Sequence, residues 1–167
     1  MRYVLLACLV LCAGCAAFTD YAESPTRGPD GRPVWRPEDV VWRDQLDRSP
    51  LHMEVSVAPA VVDWGDTVVI TARLVNDLDR PVGVQYATGC TGSYSLWRGD
   101  TRVFAPEQAC TMAPVTRIYP PGAGPPGTIT WVWNDRRIGA GDYRFTVGLG
   151  ADGSMDAGDA PLVLRRR

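Results

Sequence analysis

The sequence predicts an all-β protein, an immunoglobulin-like antiparallel β-sandwich of eight or nine short strands. Three observations carry that expectation. From Leu51 onward apolar and polar residues alternate with a period of two, as strands with one buried face require. The 17 Gly and 14 Pro place turn signals between these runs, at the spacing of roughly eight to twelve residues that sandwiches show. No segment sustains a 3.6-residue period over the length of a core helix.

The strands follow in order. Met53, Val55 and Val57 alternate with His52, Glu54 and Ser56, and Trp64-Gly65-Asp66 makes a turn. Val68, Ile70, Ala72 and Leu74 form the buried side of a second strand, which ends at the turn Asn76 to Pro81. Val82, Val84 and Tyr86 share a face of a third. Tyr94 to Trp97 and Arg102 to Phe104 flank Arg98-Gly99-Asp100-Thr101, a tight hairpin in which Gly-Asp supplies positive φ angles. Val115 to Tyr119 runs into a Pro/Gly segment ending at Gly127. Then Ile129, Trp131 and Trp133 share one face, Tyr143, Phe145, Val147 and Leu149 another, and Leu162 with Leu164 closes the chain.

Composition removes several function classes. The 17 basic residues are all Arg, so neither a Schiff-base lysine nor a phosphate-loop lysine exists here. They are scattered among 19 acids at a net charge of −2, with no basic stripe to track nucleic acid. One histidine, His52, leaves any His-based triad or metal site hanging on a single residue. Ser residues lie outside any Gly-x-Ser-x-Gly setting, and an enzyme is not expected. No cofactor is implied.

Met1-Arg2 followed by the apolar stretch Tyr3 to Ala13 has the length of a signal-peptide core and is too short to span a bilayer. It closes on Leu11-Cys12-Ala13-Gly14-Cys15, which resembles the lipobox of bacterial lipoproteins. The resemblance implies a leader over residues 1–14, removed before Cys15, which takes the acyl chains, palmitate among them. The match is good in Ala13-Gly14-Cys15 and looser upstream, where Cys12 stands in the position that prefers Leu. An ordinary secretory signal cut after Gly14 or Ala17 is the alternative. Several acyl chains on one residue suffice for stable membrane anchoring, at about 0.8 kcal/mol per buried methylene. Ala16, rather than Asp, after the cysteine implies sorting to the outer membrane.

Residues 15–50 read as the lipidated cysteine and a Pro-rich tether, with Pro25, Pro29, Pro33, Pro37 and Pro50 and no regular period. Such a segment spans roughly 30–35 Å when flexible. Trp35, Val40, Val41 and Trp42 interrupt it, so part of it either docks on the domain or forms a short helix over Glu38 to Leu46. The sandwich domain occupies residues 51–167.

The order of landmarks in that domain resembles the BsuPI-like family, named for an intracellular proteinase inhibitor and found in bacterial lipoproteins. The landmarks are Val75-Asn76, Arg80-Pro81-Val82, Ser93 to Trp97, a Pro-Gly turn before a Trp strand, Trp133-Asn134-Asp135 and Gly141-Asp142-Tyr143, spread over about Met53 to Arg165. The resemblance implies the sandwich fold and, as a first expectation, proteinase inhibition. Tyr143, at the start of a late strand, is expected to return its hydroxyl to backbone at the sheet corner. The chain departs from the family in the lengthened run Gly122 to Gly127 and in Cys90 and Cys110.

With Cys8 and Cys12 lost in the leader and Cys15 acylated, Cys90 and Cys110 remain in an oxidising compartment and are expected to form a disulfide. Asp152, Asp156 and Asp159 fit no calcium-loop spacing and read as a solvated turn. Arg98-Gly99-Asp100 spells an integrin-binding tripeptide, which the needs of the hairpin already explain. Two features are candidates for protein binding. One is the proline-stiffened loop with Tyr119, Pro120, Pro121, Pro125 and Pro126, which reads equally as a plain long turn; the other is Trp64, Trp97 and Trp131, residues that in a sandwich more often serve as core or sheet cover. The expected function is that of an exported, membrane-anchored, non-catalytic binding module for a protein partner, a proteinase inhibitor first. A structural or assembly lipoprotein of the cell envelope is the alternative.

Overall fold

A computed structural model describes residue 35 and residues 37–166. In chain order the strands are β1 (Val41–Trp42), β2 (Leu51–Ala58), β3 (Val61–Asp63), β4 (Thr67–Asn76), β5 (Val82–Tyr86), β6 (Gly92–Arg98), β7 (Thr101–Phe104), β8 (Val115–Tyr119), β9 (Gly122–Ala123), β10 (Gly127–Val132), β11 (Gly141–Leu149) and β12 (Met155–Arg165). The only helical pieces among the described residues are two three-residue 3₁₀ turns, Pro37–Asp39 and Arg43–Gln45.

The period of two in β2, β4 and β10 becomes one layer of the sandwich. These strands pair antiparallel in the order β10-β4-β2, with Leu51 opposite Asn76 and Val132 opposite Thr67. Their alternate residues Met53, Val68, Ile70, Leu74, Ile129 and Trp131 are buried. The facing layer is β3-β12-β11-β6-β7, whose inner side chains include Leu96, Phe145, Val147, Leu162 and Leu164. Phe145 stacks on Tyr94 of its own layer at 5.4 Å and meets the edge of Trp131 of the facing layer at 6.2 Å, which ties the two together. Such pairs add to the hydrophobic gain of burial. A third sheet, β1-β5-β8, buries Val82, Val84, Tyr86 and Tyr119 against the same core.

All nine strands read from the sequence are present. The three additional ones, β1, β3 and β9, are two or three residues long, too short to show a period. One lies in the segment read as tether: Val41 and Trp42 pair parallel with Val82 and Gly83, so the fold takes in residues ahead of Leu51. Docking replaces the short-helix alternative. It depends on Gly83, where an added Cβ would lie 2.7 Å from the Trp42 ring and 2.9 Å from Val40.

Candidate functional site

The proline loop is held from beneath. Gly122 and Ala123, as β9, pair with Asn76 and Val75, and the Gly124 amide donates to the Leu74 carbonyl at 2.9 Å. Asn76 is buried and joins the loop to the preceding turn, since its Nδ2 donates to the carbonyls of Tyr119 at 3.0 Å and Arg80 at 2.9 Å. Its Oδ1 accepts the Leu78 amide at 3.0 Å. Pro121, Pro125 and Pro126 are exposed above these bonds and Pro120 is half-buried. Tyr119 does not belong to the contact surface. It is 4% exposed, sits opposite Val82 on the inner face, and its hydroxyl lies 2.7 Å from that of Tyr86. The inward pleat of β8, which ends on this residue, corrects that expectation.

Cys90 and Cys110 form a disulfide, with Cα atoms 5.2 Å apart. Beside it the Gly89 amide donates to Thr111 O at 2.9 Å and Gln108 Nε2 to Gly92 O at 3.2 Å, so the long connection after β7 is fastened to the start of β6.

The three tryptophans separate. Trp131 is core, at 7% exposure. Trp97 is half-buried, donates to Ser95 Oγ at 2.7 Å and is flanked by the guanidinium groups of Arg102 and Arg144 at about 6 Å from its ring. Trp64 is 39% exposed, packs edge-on to Trp133 at 5.3 Å and carries Arg166 over its ring at 5.5 Å.

The three acids of the last turn also go separate ways. Asp152 accepts from Ser154, whose hydroxyl holds its carboxyl below the ordinary range. Asp159 accepts from Thr146 and pairs with Arg144, while Asp156 pairs with Arg43. No group of three ligand-type side chains converges among the described residues. His52 is exposed, with Nδ1 3.0 Å from Asp77 Oδ2. At the hairpin tip only Gly99 has a positive φ, 57°; Asp100 does not, contrary to the reading that both would, and the pattern is that of a II′ turn. The Tyr143 hydroxyl donates to Gly139 O at 2.7 Å, closing the expected corner.

One group was not anticipated. Arg43 grips Asp156 through Nε and Nη2, both at 3.3 Å, and the Asp156 carboxylate is 4% exposed. The Tyr86–Tyr119 hydroxyl pair lies at the inner face of the β1-β5-β8 sheet, and burial pushes the Tyr86 phenol far above its ordinary value. The sequence signal was only an Arg beside an apolar pair, Val41-Trp42-Arg43. Cys15 lies outside the described residues.

No protein-family model matches the chain, and no curated protein matches it. Among solved structures it is similar to Spo0M, the sporulation control protein of Bacillus subtilis, at 9% identity and TM-score 0.45, over 72% of this chain and 51% of that one. It is similar to the CARDB domain of the PF1109 protein from Pyrococcus furiosus at 11% identity and TM-score 0.40, over 69% and 87%. It is also similar to the alkylpurine DNA glycosylase AlkC of Pseudomonas fluorescens at 16% identity and TM-score 0.42, over 70% of this chain and 31% of that one. The chain thus spans about a third of the glycosylase and about half of Spo0M. No functional statement follows from likeness at these scores.

Proposed function

We propose that the chain is an exported lipoprotein, anchored through acyl chains on Cys15, whose sandwich binds a protein partner and catalyses no reaction. Proteinase inhibition is the first activity to test, because the order of landmarks resembles the BsuPI-like family. The observation that supports a binding loop is the double fastening of residues 120–126 to β4 beneath exposed prolines. A loop that already holds its shape loses little conformational entropy when a partner closes on it. An inhibitory loop has the same need, since it must stay rigid in a cleft built to cut flexible chains.

The test is inhibition of a panel of serine, cysteine and metallo-proteinases by the full chain. Saturable inhibition at near-equimolar ratio is expected, weakened when Pro120 to Pro126 is replaced by a Gly-Asn turn. If the whole panel is unaffected at micromolar protein, inhibition is wrong and the assembly-lipoprotein reading takes its place. For the anchor, Cys15→Ala is expected to abolish acylation. An unacylated mature N-terminus at Ala16 or later would show that the anchor is wrong.

A further inference from the structure

The edges of this fold are unequally guarded. Edge strands expose unpaired backbone groups, and native proteins protect them with charge, proline, bulges, short length or a covering segment. The outer edge of β5 is covered by β1, and β3 is three residues long. β7 carries Arg102 and pairs across a register break between Leu96 and Trp97, β8 carries Arg117 and runs into Pro120, and β2 carries Glu54. β10, Gly-Thr-Ile-Thr-Trp-Val, has no charge, no proline and no bulge, and among the described residues it pairs with β4 alone. Pro125 and Pro126 guard only the stretch just before it.

The backbone groups on its free side can be assigned. The ladder with β4 continues to Trp133, whose amide donates to Asp66 O at 3.3 Å. By alternation Ile129 and Trp131 turn their N–H and C=O toward β4, and Thr128, Thr130 and Val132 turn theirs away from it. These three residues are also exposed. A strand added here would place alternate side chains beside Trp131, whose ring lies 6.1 Å from Phe104 of the opposite layer. Apolar residues suit those positions. Arg136 comes four residues after Val132, beyond the C-terminal end of β10, and Arg166 Nη2 donates to the Arg136 carbonyl at 3.4 Å while its guanidinium covers Trp64. The neighbouring Asp135 carboxylate is held by Arg137 at 2.7 and 3.0 Å, and Asp66 Oδ2 accepts the Asp63 amide at 3.2 Å.

We infer that the free edge of β10 is a strand-addition site for an extended segment of a partner protein, with apolar residues at alternate positions and acidic residues at the end that meets Arg136 and Arg166. Main-chain hydrogen bonds supply the affinity and the charged end fixes direction, as in other β-augmentation complexes. For antiparallel addition the acidic end is the segment's N-terminus. This inference rests on the reading of the domain as a binding module but not on the proline loop.

The probe is a short synthetic peptide, two Glu followed by alternating Val and Thr, added to the full chain and followed by amide exchange and by anisotropy of a labelled copy. Exchange at Thr128, Thr130 and Val132 is expected to slow by about tenfold or more as ladder bonds form. Thr130→Pro, which removes one edge donor and leaves the bonds to β4, is expected to abolish binding; should that variant misfold, Thr130→Lys serves in its place. Arg136→Glu with Arg166→Glu is expected to weaken binding about fivefold, as is a Lys-headed peptide on the wild type. The variant with the shortened proline loop is expected to bind normally, which separates this site from the inhibitory reading. No change at β10 up to millimolar peptide would overturn the inference, as would protection confined to other strands. Edge amides already slow without peptide would overturn it too, by showing a second copy if protection rises with concentration and the chain's own segment if it does not.

Discussion

The outer edge of β5 is closed by the chain itself, whereas among the described residues the outer edge of β10 is open, although β10 offers the longer strand. β1 contributes two paired residues, far fewer than a strand needs to hold by backbone bonds alone. It stays because three side-chain interactions add to those bonds: Trp42 fills the notch that Gly83 leaves, Val40 is buried at 8% exposure, and Arg43 neutralises the buried Asp156. Beside β10 no residue of the described chain provides an equivalent. Whether an edge is closed depends less on backbone groups, which every edge has, than on whether a neighbouring segment carries side chains that fit.

The largest expected effect falls on the closed side, where the disulfide fastens the segment between β7 and β8. Replacing both Cys90 and Cys110 by Ser is expected to cost about 3 kcal/mol, the chain-entropy value for a loop of about twenty residues. Chemical denaturation of oxidised wild type against the double variant measures it. An unchanged midpoint would mean that the other contacts of that connection, Gly89–Thr111 and Gln108–Gly92, already fix it.

Arg43→Ala comes next and asks whether β1 is held by its backbone or by its side chains. Removing the cation leaves Asp156 buried without its partner, which costs about 3–5 kcal/mol for fully buried pairs. Arg43 is a third exposed, so about 2 kcal/mol is expected, together with faster amide exchange at Val41. Slow exchange at Val41 in the variant would assign the closure to Trp42 and Gly83 instead.

Tyr86→Phe tests the hydroxyl pair under the closed sheet. One lost buried hydrogen bond costs about 1 kcal/mol. The pH dependence is sharper. Burial first, and then Tyr119, raise the folded-state pKa of Tyr86 above its ordinary value near 10, so the native state keeps a proton that the unfolded chain loses. The stability from this group is complete below pH 10 and falls as pH rises beyond it, by about 1.4 kcal/mol per pH unit. Tyr86→Phe is expected to remove that slope in alkaline unfolding curves, and a variant that keeps it would place the slope on another group.

The same contrast shows what was legible in the sequence. β2, β4, β6 and β11 are long enough to display alternation, and each is present in the expected place. The Cys90–Cys110 bond followed from counting thiols, and the Tyr143 corner from its position at a strand start. β1 was not legible because two residues have no period. Tyr119 was misplaced because β8 puts Arg117 on its inner face and Ile118 on its outer one, which inverts the usual cue. The Arg43–Asp156 pair spans 113 positions, and nothing local to either residue announces the other. The β10 edge was invisible for a different reason: its residues read as an ordinary strand, and only the topology shows that no strand among the described residues pairs with its outer side.

The smallest expected effect belongs to that open edge. Thr130 is exposed, its backbone groups point away from β4, and its neighbour across the ladder is Val69, itself 39% exposed. Thr130→Lys therefore disturbs no buried contact, and its effect on unfolding free energy is expected to stay within about 0.5 kcal/mol, as for most surface substitutions. What it changes is the edge. A charge there opposes pairing with any further strand, which is how other proteins keep such edges monomeric. The variant is expected to aggregate more slowly than wild type near the unfolding midpoint, with light scattering as the measurement. Loss of more than about 1 kcal/mol would mean that Thr130 already packs against part of the chain, and the two edges would then differ only in which segment covers them.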